Sequence, residues 1–341
     1  MGQRIDIEKR SGLNVVAVGG GNGLSTLLSG LKNSVGKQNE NGISISRLSA
    51  IVAVTDDGGS SGRLRDELQM LPPGDIRNCM VALSEDSLLL SQLFQHRFTG
   101  DGDLGGHSFG NIFLAALTDL TGDFAEAVRL SSEILASKGH IFPATTADVH
   151  LAAELGDGSI VRGETNISRV GPSIRRLYLE PETCHPMPEA IDAIESADVI
   201  TMGPGSLFTS ILPPLLVDGV SQAIARSLAT RVFVSNLMTQ PGETDSFSVG
   251  QHLDAIRKFA PEIEFDYIVI NNEPISSLQR EKYAEEHAEQ IGVDKGSSLA
   301  ENYGANVVYA NLLDDGEMVR HNPERLAKAV LSCMAVEVKI I

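Results

Sequence analysis

Two adjacent carboxylates, Asp56 and Asp57, follow an apolar run and begin a segment rich in glycine and hydroxyl side chains. Adjacent carboxylates can hold Mg²⁺ through one or two oxygens while water and ligand phosphates complete the coordination. Arg63, in the same segment, can bind a phosphate through two hydrogen bonds. The run from Thr55 to Arg63 therefore predicts a polar or metal-assisted phosphate site. The alternative is a capped turn in which Asp57 and Ser60 bond to local amides.

Two glycine clusters also follow apolar runs, and a helical pattern or an apolar run comes after each of them. Glycines let the backbone approach a charged group, and the start of a helix directs free N–H groups and a positive dipole end at an anion. Two such loops at one sheet suit a diphosphate, although a glycine cluster can also be only a tight turn. The expected ligand contacts in these loops are Gly20, Gly21, Asn22, Gly23, Gly203, Gly205 and Ser206.

The named nucleotide fingerprints do not fit these clusters. A dinucleotide motif starting at Gly19 requires Gly or Ala where Leu24 stands, and the nearest strand-end acid, Asp56, lies too far along the chain. A P-loop requires Lys-Ser or Lys-Thr after the glycines, and none follows. The Gly-x-Ser-x-Gly elbow of a serine hydrolase is also absent from the sequence. Phosphate binding remains the expectation, and the NAD and ATP interpretations are weakened.

Further polar residues stand where ligands of an open parallel sheet are bound, beyond the ends of predicted strands. Asn236 and Met238 follow one strand and are expected to line the crevice. His107 and Asn111 are four residues apart across a loop-to-helix junction, so both could face a cleft. Asp75 is predicted either as a helix N-cap or as a ligand. Other candidates for base or sugar contacts are residues 242–245, Asn271, Asn272, Tyr267 and Arg320. For Tyr267, packing in the core is an equally good explanation. For Arg320, exposure to solvent is an equally good explanation.

The elements that must position these residues alternate between short apolar runs and helical periods. Runs such as 15–18, 48–54 and 199–202 are almost continuously apolar, as expected for strands buried on both faces. We predict an α/β protein with a parallel sheet, a helical insertion at about 84–155 and a small β segment after it. Residues 1–13 form an N-terminal extension, and 14–341 form a single discontinuous domain. A two-domain division is the alternative.

Charge and composition limit the classes of function. The chain carries 27 Lys+Arg against 45 Asp+Glu, a formal charge of −18, and it has no basic run, which argues against nucleic-acid binding. Three separated cysteines suggest neither disulfides nor a zinc cluster. The N-terminus lacks the apolar core of a signal peptide, and no apolar stretch is long enough to span a membrane. We therefore expect a cytoplasmic protein without membrane insertion.

The chain resembles the YvcK family of bacterial gluconeogenesis factors, which belongs to the superfamily of 2-phospho-L-lactate transferase (CofD-like proteins). The resemblance extends from Asn14 to Asn322, and the run Thr-Asp-Asp-Gly-Gly-Ser-Ser-Gly-Arg-Leu-Arg is highly specific. The one departure is an extended loop between Gly36 and Gly42. The motifs that carry the resemblance lie at 17–25, 53–65, 71–78, 107–111 and 203–207.

This resemblance implies a Rossmann-like fold, with helices on both faces of the sheet, that binds nucleotide-linked ligands. It implies diphosphate contacts at Gly21, Asn22 and Gly205. Polar or metal contacts are implied at Asp56 and Asp57, and the residues lining the same crevice would be Asn111, Ser206 and Asn236.

Three functions follow from the resemblance and the motifs, in decreasing order of expectation. The first is a regulator that binds a UDP-sugar of the UDP-N-acetylglucosamine type and links gluconeogenic growth to cell-wall synthesis and cell shape. Protein partners in cell-wall synthesis, and a homo-oligomer, are compatible with that role. The second is a transferase that moves a phospholactyl group from a guanosine diphosphate carrier to the deazaflavin alcohol Fo, with Mg²⁺ and with Asp57 as the catalytic residue. The third is an NAD-dependent oxidoreductase.

Overall fold

A computed structural model describes residues 12–85, 88–292 and 299–335. Most of the predicted N-terminal extension lies outside these residues. Seven strands form a fully parallel sheet in the order β10-β9-β8-β7-β1-β2-β3. These strands are β1 (Leu13–Gly19), β2 (Ile45–Val52), β3 (His140–Pro143), β7 (Val199–Met202), β8 (Thr230–Val234), β9 (Tyr267–Asn271) and β10 (Asn306–Ala310).

Helices cover both faces of this sheet, as the α/β prediction requires. Alternate residues of β1 belong to two separate cores, with Val15 and Ala17 in one and Val16 and Val18 in the other. The α-helices are α1 (Gly21–Leu31), α2 (Gly59–Leu68), α3 (Gly74–Leu83), α4 (Leu88–Gln95), α5 (Phe109–Thr121), α6 (Phe124–Ile134), α7 (Glu164–Ile167), α8 (Pro188–Glu195), α9 (Val220–Arg226), α10 (Val249–Phe259), α11 (Ser277–Glu285), α12 (Leu299–Tyr303) and α13 (Pro323–Ala335). The first core contains residues of α1, α3 and α13, and the second contains residues of α8, α9 and α10.

The direction in which strands are added to the sheet reverses beside β1. From β1 the chain adds β2 and β3 on one side, and from β7 it adds β8, β9 and β10 on the other side. Ligands of open α/β sheets bind outside the carboxyl ends of the strands at such a switch point. The two glycine clusters follow β1 and β7, so the fold brings both of them to this position.

The region predicted as a helical insertion contains two strands as well as helices. Helices α4, α5 and α6 lie within 84–155, but so do β3, at the edge of the parallel sheet, and β4 (His150–Leu155). A four-residue edge strand of sequence His-Ile-Phe-Pro has neither the length nor the continuous apolar character that identified the central strands.

The predicted small β segment is a three-stranded antiparallel sheet. Its order is β5 (Ile160–Arg162), β4, β6 (Ile174–Glu180), so both outer strands pair with β4. The turn at 156–158 joins β4 to β5. None of the described helices combines the length and the apolar character that a bilayer crossing needs.

Candidate functional site

The loops after β1 and β7 are in direct contact. A Cβ built on Gly23 would lie 2.1 Å from the carbonyl oxygen of Pro204, so only glycine allows the two backbones to approach in this way. The loop after β8 adds a side chain to this contact. Asn236 accepts a hydrogen bond from the N–H of Gly205 at 2.9 Å and donates one to the carbonyl of Gly205 at 2.7 Å. Three strand ends therefore form one continuous edge of a crevice.

A carboxylate of the protein occupies the start of the first loop's helix. The carboxylate of Asp75 lies beside the first turn of α1, where the backbone N–H of Gly21 favours its charged form and lowers its pKa. A Cβ on Gly20 would lie 2.5 Å from Oδ2 of Asp75. The proposed N-cap role of Asp75 is wrong, because α3 begins at Gly74, its N-cap is Pro73, and that N-cap forms no side-chain hydrogen bond. The carboxylate of Asp75 instead lies against Gly20, at the start of α1, where the sequence suggested a phosphate.

A second carboxylate occupies the loop after β7. The expected helix there is a single five-residue π-helical turn, Leu207–Ile211. Oε1 of Glu243 accepts the N–H of Phe208 at 2.9 Å, and Glu243 is only 1% exposed. Ser206 accepts a hydrogen bond from Gln240 at 2.8 Å. The expectation of a second helix N-terminus open to an anion is therefore corrected, since the Phe208 donor already has an internal partner.

The loop after β2 is hydrogen-bonded to α7, the short helix that follows β5 of the small antiparallel sheet. Oδ1 of Asp57 accepts hydrogen bonds from the backbone N–H and the hydroxyl of Thr165, at 3.2 and 3.0 Å. The hydroxyl of Thr55 donates to Glu164. Oδ1 of Asp56 accepts the N–H of Gly58 at 2.9 Å, closing a local turn. The predicted capped turn through Asp57 and Ser60 is therefore wrong, because Asp57 bonds to the remote Thr165 and Ser60 to His107 and Asn111. Asp56 closes the local turn instead, so each aspartate uses one oxygen for structure.

Several carboxylates lie close enough to change one another's ionisation. Burial, and after it the charge of Asp56, raise the pKa of Asp75 to about 6. Burial and the charges of Asp75, Asp56 and Asp57 raise the pKa of Glu164 well above its usual range. Burial raises the pKa of Glu243 to about 7, although the N–H groups of Phe208 and Thr209 favour its charged form. Such clusters are common at functional sites and are a reason to place function here.

The residues expected to bind Mg²⁺ fit it only in part. Among the described residues, no group of three or more His, Cys, Asp or Glu side chains is arranged to hold a metal ion. A Cβ on Gly163 would lie 1.9 Å from Oδ2 of Asp57, so that oxygen lies tightly against the backbone. Asp56 and Asp57 therefore each offer at most one oxygen to a metal ion. This donor set suits Mg²⁺ only in the mode where water and ligand phosphates supply the remaining positions.

A buried polar group connects α2 to the start of α5. Ser60 lies 2.9 Å from Nδ1 of His107, and Nδ2 of Asn111 donates to the Ser60 hydroxyl at 3.0 Å. Burial, and after it the charge of Arg63, lower the pKa of His107. Arg63 is exposed and donates to the carbonyl of Gly105 at 2.7 Å. Asn111 is 2% exposed and its Oδ1 atom has no hydrogen-bond partner.

The predicted residues are thus of two kinds. Backbone contacts join the loops after β1, β7 and β8, while Arg63 and Asn111 lie with His107 around the start of α5. Asn22 is exposed at the start of α1. Met238 forms an isolated bridge with Gln290 and packs partly against the core. Among the other candidates, Tyr267 is 7% exposed in the core, Arg320 is exposed, and Glu243 and Thr244 are buried.

Sequence reasoning missed the carboxylates that serve the loops. Glu164 is not among the predicted site residues, Glu243 is predicted only as a base or sugar contact, and Asp75 is predicted as the N-cap of its own helix or as a ligand. Each bonds to a residue distant in the sequence, so no local spacing marks it. The one available signal was glycine, because Gly20 and Gly163 leave the space in which the carboxylates of Asp75 and Asp57 lie.

Comparison with known proteins gives consistent results. The family described as 2-phospho-L-lactate transferase CofD matches residues 15–313. The chain is 46% identical to the gluconeogenesis factor of Halalkalibacterium halodurans, over 93% of this chain and 95% of that protein. It is 42% identical to the gluconeogenesis factor of Bacillus subtilis, over 94% and 98% of the two chains. A crystal structure of a Bacillus halodurans protein superposes with a TM-score of 0.87 at 44% identity, covering 94% of this chain and 100% of that one.

Proposed function

Because this chain belongs to the gluconeogenesis-factor family, within the wider CofD family, we propose that it binds a nucleotide diphosphate sugar of the UDP-N-acetylglucosamine type in the crevice at the switch point. The observation that carries the proposal is the contact between the glycine loops after β1 and β7, joined by Asn236. The glycines let these backbone segments come together at the switch point, where open α/β sheets bind their ligands. The remaining polar residues of the crevice are available for the base and sugar.

We propose a binding regulator rather than a catalyst. The two aspartates that a transferase would need each use one carboxylate oxygen for internal hydrogen bonds, with Gly58 and with Thr165. A regulator needs only ligand-dependent stabilisation of one conformation, which contacts between three strand ends can supply. The role that goes with this ligand is to link gluconeogenic growth to cell-wall synthesis and cell shape through protein partners.

Thermal unfolding of the purified protein with a ligand panel tests the proposal. A ligand that binds only the folded state at about 100 times its Kd adds ~2.7 kcal/mol of stability, which raises the melting temperature by several degrees. The panel is UDP-N-acetylglucosamine, UDP-glucose, GDP with Mg²⁺ and Fo, and NAD. We expect stabilisation by the UDP-sugars. Stabilisation by NAD alone would instead support the oxidoreductase.

The second candidate is the phospholactyl transferase, favoured by the adjacent Asp56 and Asp57. In that reaction the hydroxyl oxygen of Fo attacks the phosphorus that bears the lactyl group, the bond to the guanosine phosphate breaks, and the hydroxyl proton leaves. Asp57 would orient that hydroxyl or accept its proton. Mg²⁺, when bound, would neutralise charge on the phosphates. Product formed by the wild type with Mg²⁺ and lost in Asp57→Asn would establish this function in place of the first.

A further inference from the structure

Three arginines come together beside the crevice without a carboxylate partner. Arg97 donates to the carbonyl of Gly106 at 2.6 Å, and Arg63 donates to the neighbouring carbonyl of Gly105 at 2.7 Å. Arg77 packs against the first turn of α5, where a Cβ on Gly110 would lie 2.9 Å from its Cγ and Cδ atoms. Within the described ranges, no carboxylate lies within 4.0 Å of any of the three guanidinium groups.

Arg77 is the least expected of the three. It is 8% exposed, its Nε atom is buried without a hydrogen-bond partner, and the one hydrogen bond seen for its guanidinium goes to Oδ1 of Asn78 at 2.6 Å. Burial, and after it the charge of Arg97, lower the pKa of Arg77. A buried cation without an ion pair is costly. The chain has 45 acidic residues, yet among the described ones Asp75 and Asp56 act on Arg77 only from beyond ion-pair distance, and this calls for an explanation.

His107 adds a fourth donor to this group. The Ser60 hydroxyl accepts a hydrogen bond from Asn111, so its own proton is free to bond to Nδ1 of His107. This arrangement places the proton of the neutral imidazole on Nε2, which then acts as an N–H donor. The acidic groups that act on this cluster are Glu67, toward His107, and Asp75 and Asp56, toward Arg77.

We propose that Arg63, Arg77, Arg97 and His107 form a phosphate-binding site at the α5 end of the crevice, distinct from the diphosphate loops. Guanidinium groups bind phosphate oxygens through paired hydrogen bonds, and a cluster of them matches a dianion better than a single-charged carboxylate. The site takes the phosphate group of a small phosphorylated molecule. It goes beyond the proposed function, because it requires no UDP-sugar to be bound.

Isothermal titration with inorganic phosphate at constant ionic strength tests the site. We expect saturable binding that Arg97→Gln and Arg63→Gln each weaken at least tenfold. Arg129→Gln is the matched control, because it removes one exposed arginine charge on α6 away from the crevice. Arg77→Lys keeps the positive charge but loses the paired N–H donors of the guanidinium group. It should therefore weaken phosphate binding less than Arg77→Met, which loses both. Unchanged phosphate affinity in both Arg97→Gln and Arg63→Gln, or the absence of saturable binding by the wild type, overturns the proposal.

A repeat of the titration with saturating UDP-N-acetylglucosamine distinguishes the source of the phosphate. Retained phosphate affinity means that the site takes a second, separate molecule, whereas competition means that one ligand fills both ends of the crevice. If UDP-N-acetylglucosamine fails to bind while phosphate binds and responds to Arg97→Gln, the proposed function fails and this inference stands. The ring-proton resonances of His107 should shift with phosphate in the wild type, which locates the binding.

Discussion

Asn236 forms two hydrogen bonds with one residue, Gly205: its Oδ1 accepts from the backbone N–H and its Nδ2 donates to the carbonyl. The side chain therefore offers Gly205 one donor and one acceptor, as the backbone of a neighbouring strand would. In this way it joins the loop after β8 to the loop after β7. These two bonds hold the loop at 203–206 in place. The carboxamide of Asn236 is therefore already bonded to Gly205 and acts on a ligand by positioning that loop.

Replacing Asn236 by Asp should therefore reduce ligand affinity without unfolding the protein. The carboxylate can still accept the N–H of Gly205 but repels its carbonyl, and it adds a negative charge near the expected diphosphate. Loss of a charged or buried hydrogen bond costs about 1–3 kcal/mol, so we expect a Kd for UDP-N-acetylglucosamine that is about five- to 150-fold weaker in calorimetry. Asn41→Asp, in an exposed turn before β2 and away from the carboxyl ends of the strands, is the control. Equal affinity in both variants would contradict the positioning role.

Gly23→Ala should separate the loops after β1 and β7. The new Cβ would lie 2.1 Å from the carbonyl oxygen of Pro204, which belongs to the backbone and cannot rotate away. Overpacking of this kind costs about 1–3 kcal/mol, and we expect that loss in the free energy of unfolding measured with denaturant, together with weaker UDP-sugar binding. Gly102→Ala, where nothing lies within 4 Å of the added Cβ, should change neither quantity. A fully stable Gly23→Ala protein would show that the two loops are not held together.

Glu243 should make stability fall as the pH rises toward neutrality. Its folded pKa of about 7 exceeds the ordinary value of 4.5, so the folded state binds the extra proton between these values and loses stability as pH increases through them. Glu243→Gln keeps an acceptor for Phe208 but does not titrate. Between pH 4.5 and 7, the free energy of unfolding of Glu243→Gln should therefore rise relative to that of the wild type, by at most ~1.4 kcal/mol per pH unit. A difference that does not vary with pH would refute the assignment.

Asp75→Asn should affect the loop after β1 through charge alone. The amide has nearly the same shape and still places an oxygen beside the N–H of Gly21, while the negative charge near Asp56 and Glu164 is removed. We expect higher stability at pH 8 than the wild type, little change near pH 4, and several-fold tighter UDP-sugar binding without Mg²⁺. Asp101→Asn, in an exposed loop, controls for net charge. Weaker binding by Asp75→Asn would mean that this carboxylate contacts the ligand directly.

The parallel sheet and the position of the crevice could be predicted because their causes are local. Strands buried on both faces are almost continuously apolar, and β1 and β7 each end in a glycine cluster. The edge strand β3 could not be predicted in the same way, because four residues that include His140 and Pro143 carry no strand pattern. Its pairing with β2 follows from the long-range packing of the sheet.

The carboxylates of the site could not be predicted because their partners are remote in the chain. Glu243 is 35 residues from Phe208, and Glu164 is 109 residues from Thr55. A helix start selects an acceptor by position in space, and any acidic residue that the fold brings there can serve. The glycine motifs therefore indicated where donors lie, but the sequence contained no local indication that two of those donors were already satisfied.

The hydrogen bonds that join the loop after β2 to Glu164 and Thr165 mean that this motif is positioned by α7, a helix connected directly to β5 of the small sheet. Relatives can keep every residue of the Thr-Asp-Asp run and still present it differently, if the small sheet changes in length or packing. Ligand preference could then diverge during evolution without a substitution in any glycine motif. Comparison of relatives by their small sheet, rather than by their shared motifs, is therefore the informative way to group them by ligand.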